Sequence, residues 1–166
     1  VLQVFQDAPF SMLAVDSSEP MIARYRKRLE AAPSDKRSDC LEQIQLTCDN
    51  METITIENAS VVVINLTLQF LDPQKRDQLI QDVYRGLVPG GVLLMTEKTI
   101  HPDPVFNGFQ ESFYQSFKLE NGYSELEISQ KRDALEQVLI PETIGVHESR
   151  IRASWSDCRN TIRSSA

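Results

Sequence analysis

Two strand patterns separated by one amphipathic helix constrain the fold of this chain most strongly. Residues 60–66, SVVVINL, are apolar and β-branched, which is typical of a strand covered on both faces. Residues 72–73, Asp-Pro, then begin a helix. Its apolar face consists of Leu79, Ile80, Val83 and Leu87. The Pro-Gly-Gly sequence at 89–91 stops this helix, and residues 92–97 form the next buried strand.

The same alternation extends toward the start of the sequence. Residues 11–16, SMLAVD, predict a strand, and residues 17–20 supply cap residues for a helix that runs to about Leu29. After a predicted loop at 31–39, residues 44–48 form another short strand. This βαβ succession predicts an α/β domain with a largely parallel sheet and helices on both faces. Ligands bind beyond the carboxyl ends of such strands, where this chain places Asp16, Asn65 and Glu97.

The pattern changes to helices after residue 98. Phenylalanines recur at helical spacing and predict an amphipathic helix with an aromatic face: Phe106, Phe109, Phe113 and Phe117. Two interpretations fit this face, a helix packed on the core and a lid that closes on a ligand. A further helical pattern covers residues 142–153. The polar, Ser-rich residues 154–166 are expected to be a poorly ordered tail.

A helix pattern after Ser124 places an arginine within an apolar stripe. The stripe consists of Ile128, Leu135 and Leu139, and Arg132 lies between them at helical spacing. A guanidinium that faces a core needs an anionic partner, because an unpaired buried charge costs several kcal/mol. Two kinds of partner fit: a protein carboxylate such as Glu127 or Glu136, and the carboxylate of a bound ligand.

Four further residues, in or just after predicted strands, are candidate binding residues. An acid such as Asp16 either caps the next helix or holds the hydroxyl groups of a ribose. Asn65 lies within an apolar strand, where we expect a buried amide that bonds to the protein or to a ligand. Asn50 and Met51 would suit the edge and face of an adenine ring, although loop residues of this kind are common.

The net charge of −7 limits the classes of partner. It disfavours direct nucleic-acid binding, which depends on Lys and Arg neutralising phosphates. We interpret the basic cluster at 24–28 as a solvated helix face. Three cysteines and two histidines, all far apart, form no disulfide framework and no metal-binding pattern. No apolar run is long enough to span a bilayer, and no secretion signal is recognisable, so we expect a cytoplasmic protein.

Four segments together resemble one enzyme family. They are AVDSSEPMI at 14–22, IENASVVVINLTLQFLDP at 56–73, GLVPGGVLLMTEK at 86–98 and NGYSELEISQKR at 121–132. These segments are similar to those of the carboxy-S-adenosyl-L-methionine synthases, which belong to the class I methyltransferase superfamily. The resemblance covers most of residues 11–152 and implies a Rossmann-like class I methyltransferase fold.

The resemblance also implies a reaction and a set of ligand contacts. The family converts S-adenosyl-L-methionine and prephenate to carboxy-S-adenosyl-L-methionine and phenylpyruvate, without a metal. A partner enzyme uses the product in the 5-oxyacetyl modification of the tRNA wobble uridine. Family members are expected to be homodimers, with the aromatic face at 106–117 as a candidate contact. Asp16, with Ser17 beside it, would hold the ribose, and Asn50 and Met51 would lie around the adenine. Asn65 would lie near the methionine part, and Arg132 would pair with the added carboxylate.

The family's first strand, its glycine-rich loop and its last two strands are not recognisable in this sequence. We therefore expect residues 1–153 to form a truncated S-adenosylmethionine-binding domain, followed by the tail at 154–166. Two alternatives to the synthase reaction remain. One is a methyltransferase that acts on another acceptor, such as tRNA, and the other is a non-catalytic fragment that folds with a partner chain.

Overall fold

The computed structural model describes residues 10–31, 43–135 and 138–163, with side chains only to residue 155 in the last range. These residues form two units, within residues 1–55 and 56–166. The elements in chain order are β1 (Met12–Asp16), α1 (Glu19–Glu30), β2 (Ile44–Cys48), β3 (Ala59–Asn65), a 3-10 turn (Leu68–Phe70), α2 (Pro73–Gly86), β4 (Leu87–Thr96), α3 (Pro104–Glu120), α4 (Glu125–Leu135) and α5 (Ile144–Arg163).

The first unit is a parallel strand pair with one helix. β1 and β2 align from Met12 opposite Ile44 to Asp16 opposite Cys48. The intervening helix α1 begins after its N-cap residue Ser18, with a proline in the first turn, as predicted. Its buried side chains are Ile22 and Leu29. The predicted loop at 31–39 lies outside the described residues, apart from Ala31.

The second unit contains the other parallel pair, β3 and β4. Val61 lies opposite Val92 and Asn65 opposite Thr96, but the register shifts between Ala59 and Val61. The Pro-Gly-Gly sequence, which we predicted to stop the helix, instead lies within β4 at this irregularity, and Gly90 adopts a φ of +84° that favours glycine. Gly86 ends α2 where a Cβ would lie 2.2 Å from the Ile56 carbonyl oxygen. Strands and helices therefore alternate as predicted, in two parallel pairs.

One face of the β3–β4 pair packs on α2. Five side chains form the core of this packing: Ile64, Leu68, Leu79, Ile80 and Val83. The opposite face is exposed, at 47–65%, through Val61, Val63, Val92 and Leu94. The prediction that residues 60–66 form a strand covered on both faces is therefore wrong within this unit. Leu87, which we placed on the helix face, instead begins β4.

The aromatic helix is present, but it does not pack on a core. Throughout α3, all of which the structure describes, no residue is buried. Its aromatic stripe is 51–77% exposed, at Phe106, Phe109, Phe113 and Phe117. The core-packed interpretation is therefore wrong within the second unit. Among the helices in the described ranges, none is both long and apolar enough to cross a bilayer.

The predicted tail is helical over most of its length. α5 continues past Ala153 to Arg163, and Ser154 is only 2% exposed. The Ser154 hydroxyl donates to the Arg150 carbonyl oxygen at 3.0 Å. Trp155 packs edge-to-face on Tyr84 of α2, with ring centroids 4.4 Å apart. Ser154 and Trp155 therefore belong to α5, while the poor order expected from residue 154 onward stays a prediction.

Candidate functional site

The carboxyl ends of β1 and β2 bring four of the predicted binding residues into one region of the first unit. Asp16 ends β1 opposite Cys48, and the Asp49 backbone N–H donates to the Asp16 carbonyl oxygen at 3.2 Å. Ser17 follows Asp16, while Asn50 and Met51 follow Asp49. Parallel strands end at the same edge, so this grouping follows directly from the predicted topology.

Asp16 uses one carboxylate oxygen to shape the turn before α1. Its Oδ1 accepts the backbone N–H of Ser18 at 2.8 Å, and Ser18 is the N-cap residue of the helix. This contact resembles the capping interpretation, although the bond does not reach the helical residues themselves. The carboxylate remains exposed, and its Oδ2 takes no part in this bond. Ribose binding by Asp16 and Ser17 stays a prediction.

The segment after β2 is a hydrogen-bonded turn. The Asn50 amide donates to Glu52 Oε2 at 2.9 Å, and its Oδ1 accepts the Glu52 backbone N–H at 3.2 Å. Asp49 Oδ1 accepts the Thr53 hydroxyl at 3.0 Å. Met51 is half-buried within this turn. An adenine ring would therefore have to share or replace the Asn50–Glu52 contacts, and the adenine role of this pair stays a prediction.

The edge formed by the carboxyl ends of β1 and β2 is negatively charged. A hydrogen bond with Glu19 raises the pKa of the Cys48 thiol, and burial together with the charges of Glu19, Asp16 and Asp49 raises it further. A region of this charge suits hydroxyl groups and cations, and it disfavours phosphates.

The carboxyl end of β3 lies in the second unit and differs from the prediction. Asn65 is exposed, because it ends the strand and is not enclosed by it. Its carbonyl oxygen accepts the Thr67 hydroxyl at 3.0 Å. The next residue, Leu66, has a φ of +53°, which is uncommon for a residue other than glycine. The predicted burial of the Asn65 amide is therefore wrong, and its ligand role stays a prediction.

Glu97, the third polar residue at a strand end, holds the 3-10 turn. Its Oε1 accepts the backbone N–H groups of Thr67 and Leu68 at 2.9 and 2.8 Å. Its Oε2 accepts the N–H of Gln69 at 3.3 Å. A carboxylate placed in this way satisfies the N–H groups at the start of a helical turn.

Arg132 faces solvent, which contradicts the burial predicted from its stripe. Its side chain is 63% exposed and forms an ion pair with Asp133, with Nε 3.8 Å from Oδ1. Glu127 instead accepts the backbone N–H and the hydroxyl of Ser124, each at 2.8 Å. Glu136, the other proposed protein partner, lies outside the described residues. Across α4, all of which the structure describes, no residue is buried. The ligand role of Arg132 stays a prediction.

Comparisons with known proteins place the fold in a family. A family model described as a methyltransferase domain matches residues 1–91, which is more than half of the chain. This chain belongs to the methyltransferase domain family. An O-methyltransferase family 2 protein from Planctomyces limnophilus, solved with apigenin, has the same fold, with a TM-score of 0.57 and 15% identity. That match covers 92% of this chain and 39% of the other.

Curated relatives of this methyltransferase domain confirm the more specific resemblance. The chain is 52% identical over 153 residues to the carboxy-S-adenosyl-L-methionine synthase of Desulforapulum autotrophicum, covering 92% of this chain and 60% of that protein. It is 44% identical over 158 residues to the synthase of Geobacter metallireducens, covering 90% and 62%. The chain thus spans about three fifths of the length of the curated relatives it matches.

A buried charge network in this methyltransferase domain escaped the sequence analysis. Arg76 is 0% exposed, and its Nη1 donates to Glu142 Oε2 at 2.7 Å. Arg150 donates to both Glu142 oxygens at 2.9 Å and also pairs with Asp77. The network therefore fastens α5 and the segment before it to α2. The signal was available, because Arg76 lies three and four residues before Leu79 and Ile80 on the buried stripe of α2.

Electrostatics keep this network charged. Burial opposes ionisation of Glu142, but hydrogen bonds from Arg150 and Arg76 outweigh it and lower its pKa to about 2. Burial, together with the neighbouring Arg150 charge, lowers the pKa of His147. The Nδ1 of His147 lies 3.2 Å from Arg150 Nη1, which can only donate, so the proton of a neutral ring belongs on Nε2. Each of the two guanidinium groups thus pairs with a carboxylate of the protein, which gives the network a structural role.

Proposed function

We propose that this chain is part of a carboxy-S-adenosyl-L-methionine synthase. The proposed reaction converts S-adenosyl-L-methionine and prephenate to carboxy-S-adenosyl-L-methionine and phenylpyruvate. The observation that carries the proposal is the 52% identity to a synthase of that name over 92% of this chain. Ligands of such folds bind beyond the carboxyl ends of parallel strands, which in this chain include the ends of β1, β2 and β3.

The charge and hydrogen-bonding groups of the first unit support an adenosyl ligand. S-adenosylmethionine supplies a methyl group activated by a sulfonium cation, and it carries ribose hydroxyls and no phosphate. The exposed carboxylate of Asp16 can accept a ribose hydroxyl through Oδ2, because Oδ1 is engaged with Ser18. The surrounding carboxylates of Glu19 and Asp49 favour a cation over a phosphorylated nucleotide. These hydrogen-bond acceptors and negative charges therefore fit this ligand.

The proposed reaction balances without an oxidant or a metal. The ring carboxylate of prephenate leaves as carbon dioxide, and its ring hydroxyl leaves with a proton from the sulfonium methyl as water. The new carbon–carbon bond joins that methyl carbon to the carbon dioxide carbon. The added carboxylate is the chemical difference between product and substrate, so selectivity requires a cation that pairs with it.

We propose Arg132 as that cation. Its ion pair with Asp133 is too long for a hydrogen bond and joins two exposed side chains, so its guanidinium can turn toward a ligand. An exposed pair contributes below about 1 kcal/mol. A pair closed off from water contributes about 2 kcal/mol, which corresponds to tens-fold selectivity. A measurement of how strongly the chain prefers the carboxylated ligand over the plain one would therefore report whether the ligand-bound site excludes water.

Mass spectrometry of the small molecules that co-purify with the chain tests the proposed function. We expect carboxy-S-adenosylmethionine after incubation with S-adenosylmethionine and prephenate. If plain S-adenosylmethionine or its demethylated product is retained and the carboxylated form never appears, the methyltransferase alternative replaces the synthase. If none of the three is retained and calorimetry detects no binding, the chain is a non-catalytic fragment by itself.

We further propose that a second copy of the chain covers the aromatic face of α3, forming the homodimer that the family resemblance implies. Four exposed phenylalanines on one stripe form an apolar surface of the kind that marks protein contacts. Sedimentation should show a dimer, and Phe113→Ser should shift it toward the monomer. A wild-type monomer at high concentration would refute this interface.

We expect prephenate as the small-molecule substrate, no direct nucleic-acid contact, and a cytoplasmic role that supplies tRNA wobble-uridine modification.

A further inference from the structure

The turn that follows β3 has a conformation that its own residues do not favour. Leu66 adopts a φ of +53°, where a side chain with a Cβ is strained. Its side chain is 47% exposed, so burial of the leucine does not compensate for this backbone geometry. Strained backbone persists where surrounding contacts determine it, and such positions cluster at binding sites. Contacts from the surrounding residues must therefore hold this turn in its conformation.

Glu97 supplies most of those contacts. Its carboxylate accepts three consecutive backbone N–H groups, those of Thr67, Leu68 and Gln69. Two further bonds act beside them, from the Thr67 hydroxyl to the Asn65 carbonyl oxygen and from the Leu66 N–H to the Thr96 carbonyl oxygen. Without the carboxylate, the three N–H groups at the start of the 3-10 turn would lose their acceptor.

These contacts converge on Asn65, whose exposed side chain ends β3. The hydroxyl that bonds the Asn65 carbonyl oxygen belongs to Thr67, and the N–H of the same threonine bonds Glu97 at 2.9 Å. A displacement of the turn would therefore move the peptide unit that carries the Asn65 side chain. Gln69, at the far end of the three bonds, is buried and accepts the Ile140 N–H through its carbonyl oxygen. The turn is thus held by hydrogen bonds at both ends, at Gln69 and beside Asn65.

We propose that Glu97 is a positioning residue, which fixes the strained turn at 65–69 so that the Asn65 amide is presented to the methionine part of the adenosyl ligand. This inference rests on the proposed function for the identity of the ligand. Glu97 itself would not touch the ligand. It would determine the affinity for the ligand through backbone geometry, by keeping Leu66 in its positive-φ conformation.

Two variants of Glu97 and one matched control test this role. Glu97→Ala removes all three acceptor contacts, whereas Glu97→Gln keeps an oxygen for the two shorter bonds and places an amide NH₂ at the longest. Asp72→Ala is the control, because Asp72 Oδ1 likewise accepts one backbone N–H, that of Gln74 at 2.9 Å, to cap α2. For each full-length chain, hydrogen exchange reports the turn, calorimetry reports S-adenosylmethionine binding, and thermal unfolding reports stability.

We expect amide exchange at Thr67, Leu68 and Gln69 to be at least about tenfold faster in Glu97→Ala, with binding at least about tenfold weaker. Glu97→Gln should recover the affinity to within about threefold. Asp72→Ala should unfold at a lower temperature and bind like the wild type. If the role of Glu97 were purely structural, the losses of affinity and stability would instead go together.

Other outcomes would overturn the inference. Unchanged exchange and affinity in Glu97→Ala would show that the carboxylate does not hold the turn. Affinity losses that follow the loss of stability equally in Glu97→Ala and Asp72→Ala would leave Glu97 a structural cap only. If the wild-type chain binds no S-adenosylmethionine, the proposed function fails together with the ligand-positioning role. The exchange data then still decide whether Glu97 fixes the turn.

Discussion

Two arginines on apolar helical stripes have opposite surroundings in this molecule. Arg76 of α2 is 0% exposed and donates to Glu142 and to the Leu71 and Ile140 carbonyl oxygens. Arg132 of α4 is 63% exposed and approaches only the adjacent Asp133 closely enough to form an ion pair within the described part of the chain. The spacing of apolar residues is similar in both helices, so spacing alone does not determine whether a cation on the stripe is buried.

The difference lies in what each helix packs against. α2 packs on β4 and α5, which together bury Leu79, Ile80 and Val83 beside Arg76. α4 contacts α3, whose own aromatic face is exposed. An apolar stripe becomes a core only where a second apolar surface meets it. The helix without that surface leaves its arginine free to meet a ligand or a second copy of the chain.

Arg76→Leu should produce the largest effect on stability. It leaves the partly buried Glu142 with one cationic partner fewer, and breaking a buried pair from one side costs about 3–5 kcal/mol. We expect a loss of that size in the free energy of unfolding, measured by urea denaturation. Arg85→Leu is the matched control on the same helix, because Arg85 is 60% exposed and should change stability by less than about 0.5 kcal/mol. Similar losses for both variants would refute the buried network.

Glu142→Gln should remove an acid-dependent part of the stability. The pKa of Glu142 is lowered to about 2 in the folded chain, below its ordinary value of 4.5. Its stabilisation is therefore complete above about pH 5 and is lost as the pH falls toward the folded pKa. The stability difference between wild type and Glu142→Gln should shrink by about 1–2 kcal/mol from about pH 6 to about pH 3. A difference independent of pH would contradict the lowered pKa.

Ser124→Ala should have a smaller and local effect, on α4 alone. Ser124 and Glu127 form a capping box, in which the Glu127 N–H reaches the serine hydroxyl at 3.2 Å and the carboxylate accepts the serine N–H. These bonds lower the pKa of Glu127. In the variant, the pKa of Glu127 measured by NMR should rise toward its ordinary value, and the amides of the first α4 turn should exchange several-fold faster. An unchanged pKa would show that the box does not form.

Arg132→Leu should change stability least. An exposed guanidinium with a single long ion pair contributes little, so we expect a change within about 0.5 kcal/mol in urea denaturation. A loss of several kcal/mol would mean that Arg132 is buried in solution. That result would support the burial of Arg132 that the apolar stripe predicted and the structure contradicts.

Local signals in the sequence predicted most of the helices and strands. The Asp-Pro pair at 72–73 begins α2, and the Asp72 carboxylate accepts the Gln74 N–H as a cap does. The strand ends at Asp16 and Cys48 meet because parallel strands share an edge. Such signals depend on residues a few positions apart, which the sequence displays directly. The grouping of Asp16, Ser17, Asn50 and Met51 in one unit followed from them.

Burial was harder to predict, because it depends on surfaces that meet only in the folded chain. Asn65 follows buried Ile64 yet is exposed, since the strand ends there. The polar segment after Ala153 continues a helix because one tryptophan, Trp155, meets Tyr84 of α2. The apolar stripe predicted the burial of Arg132 wrongly for the same reason, whereas the same helical spacing would have predicted the burial of Arg76 correctly.

We propose that the chain recognises the added carboxylate of its adenosyl product through Arg132. Calorimetric titration of wild type and Arg132→Leu with carboxy-S-adenosylmethionine and with S-adenosylmethionine tests it most directly. We expect the wild type to prefer the carboxylated form by tens-fold if the bound site excludes water, and by several-fold if it does not. Arg132→Leu should lose this preference while binding the plain form as the wild type does. An equal loss for both ligands, or an unchanged preference, would contradict the claim.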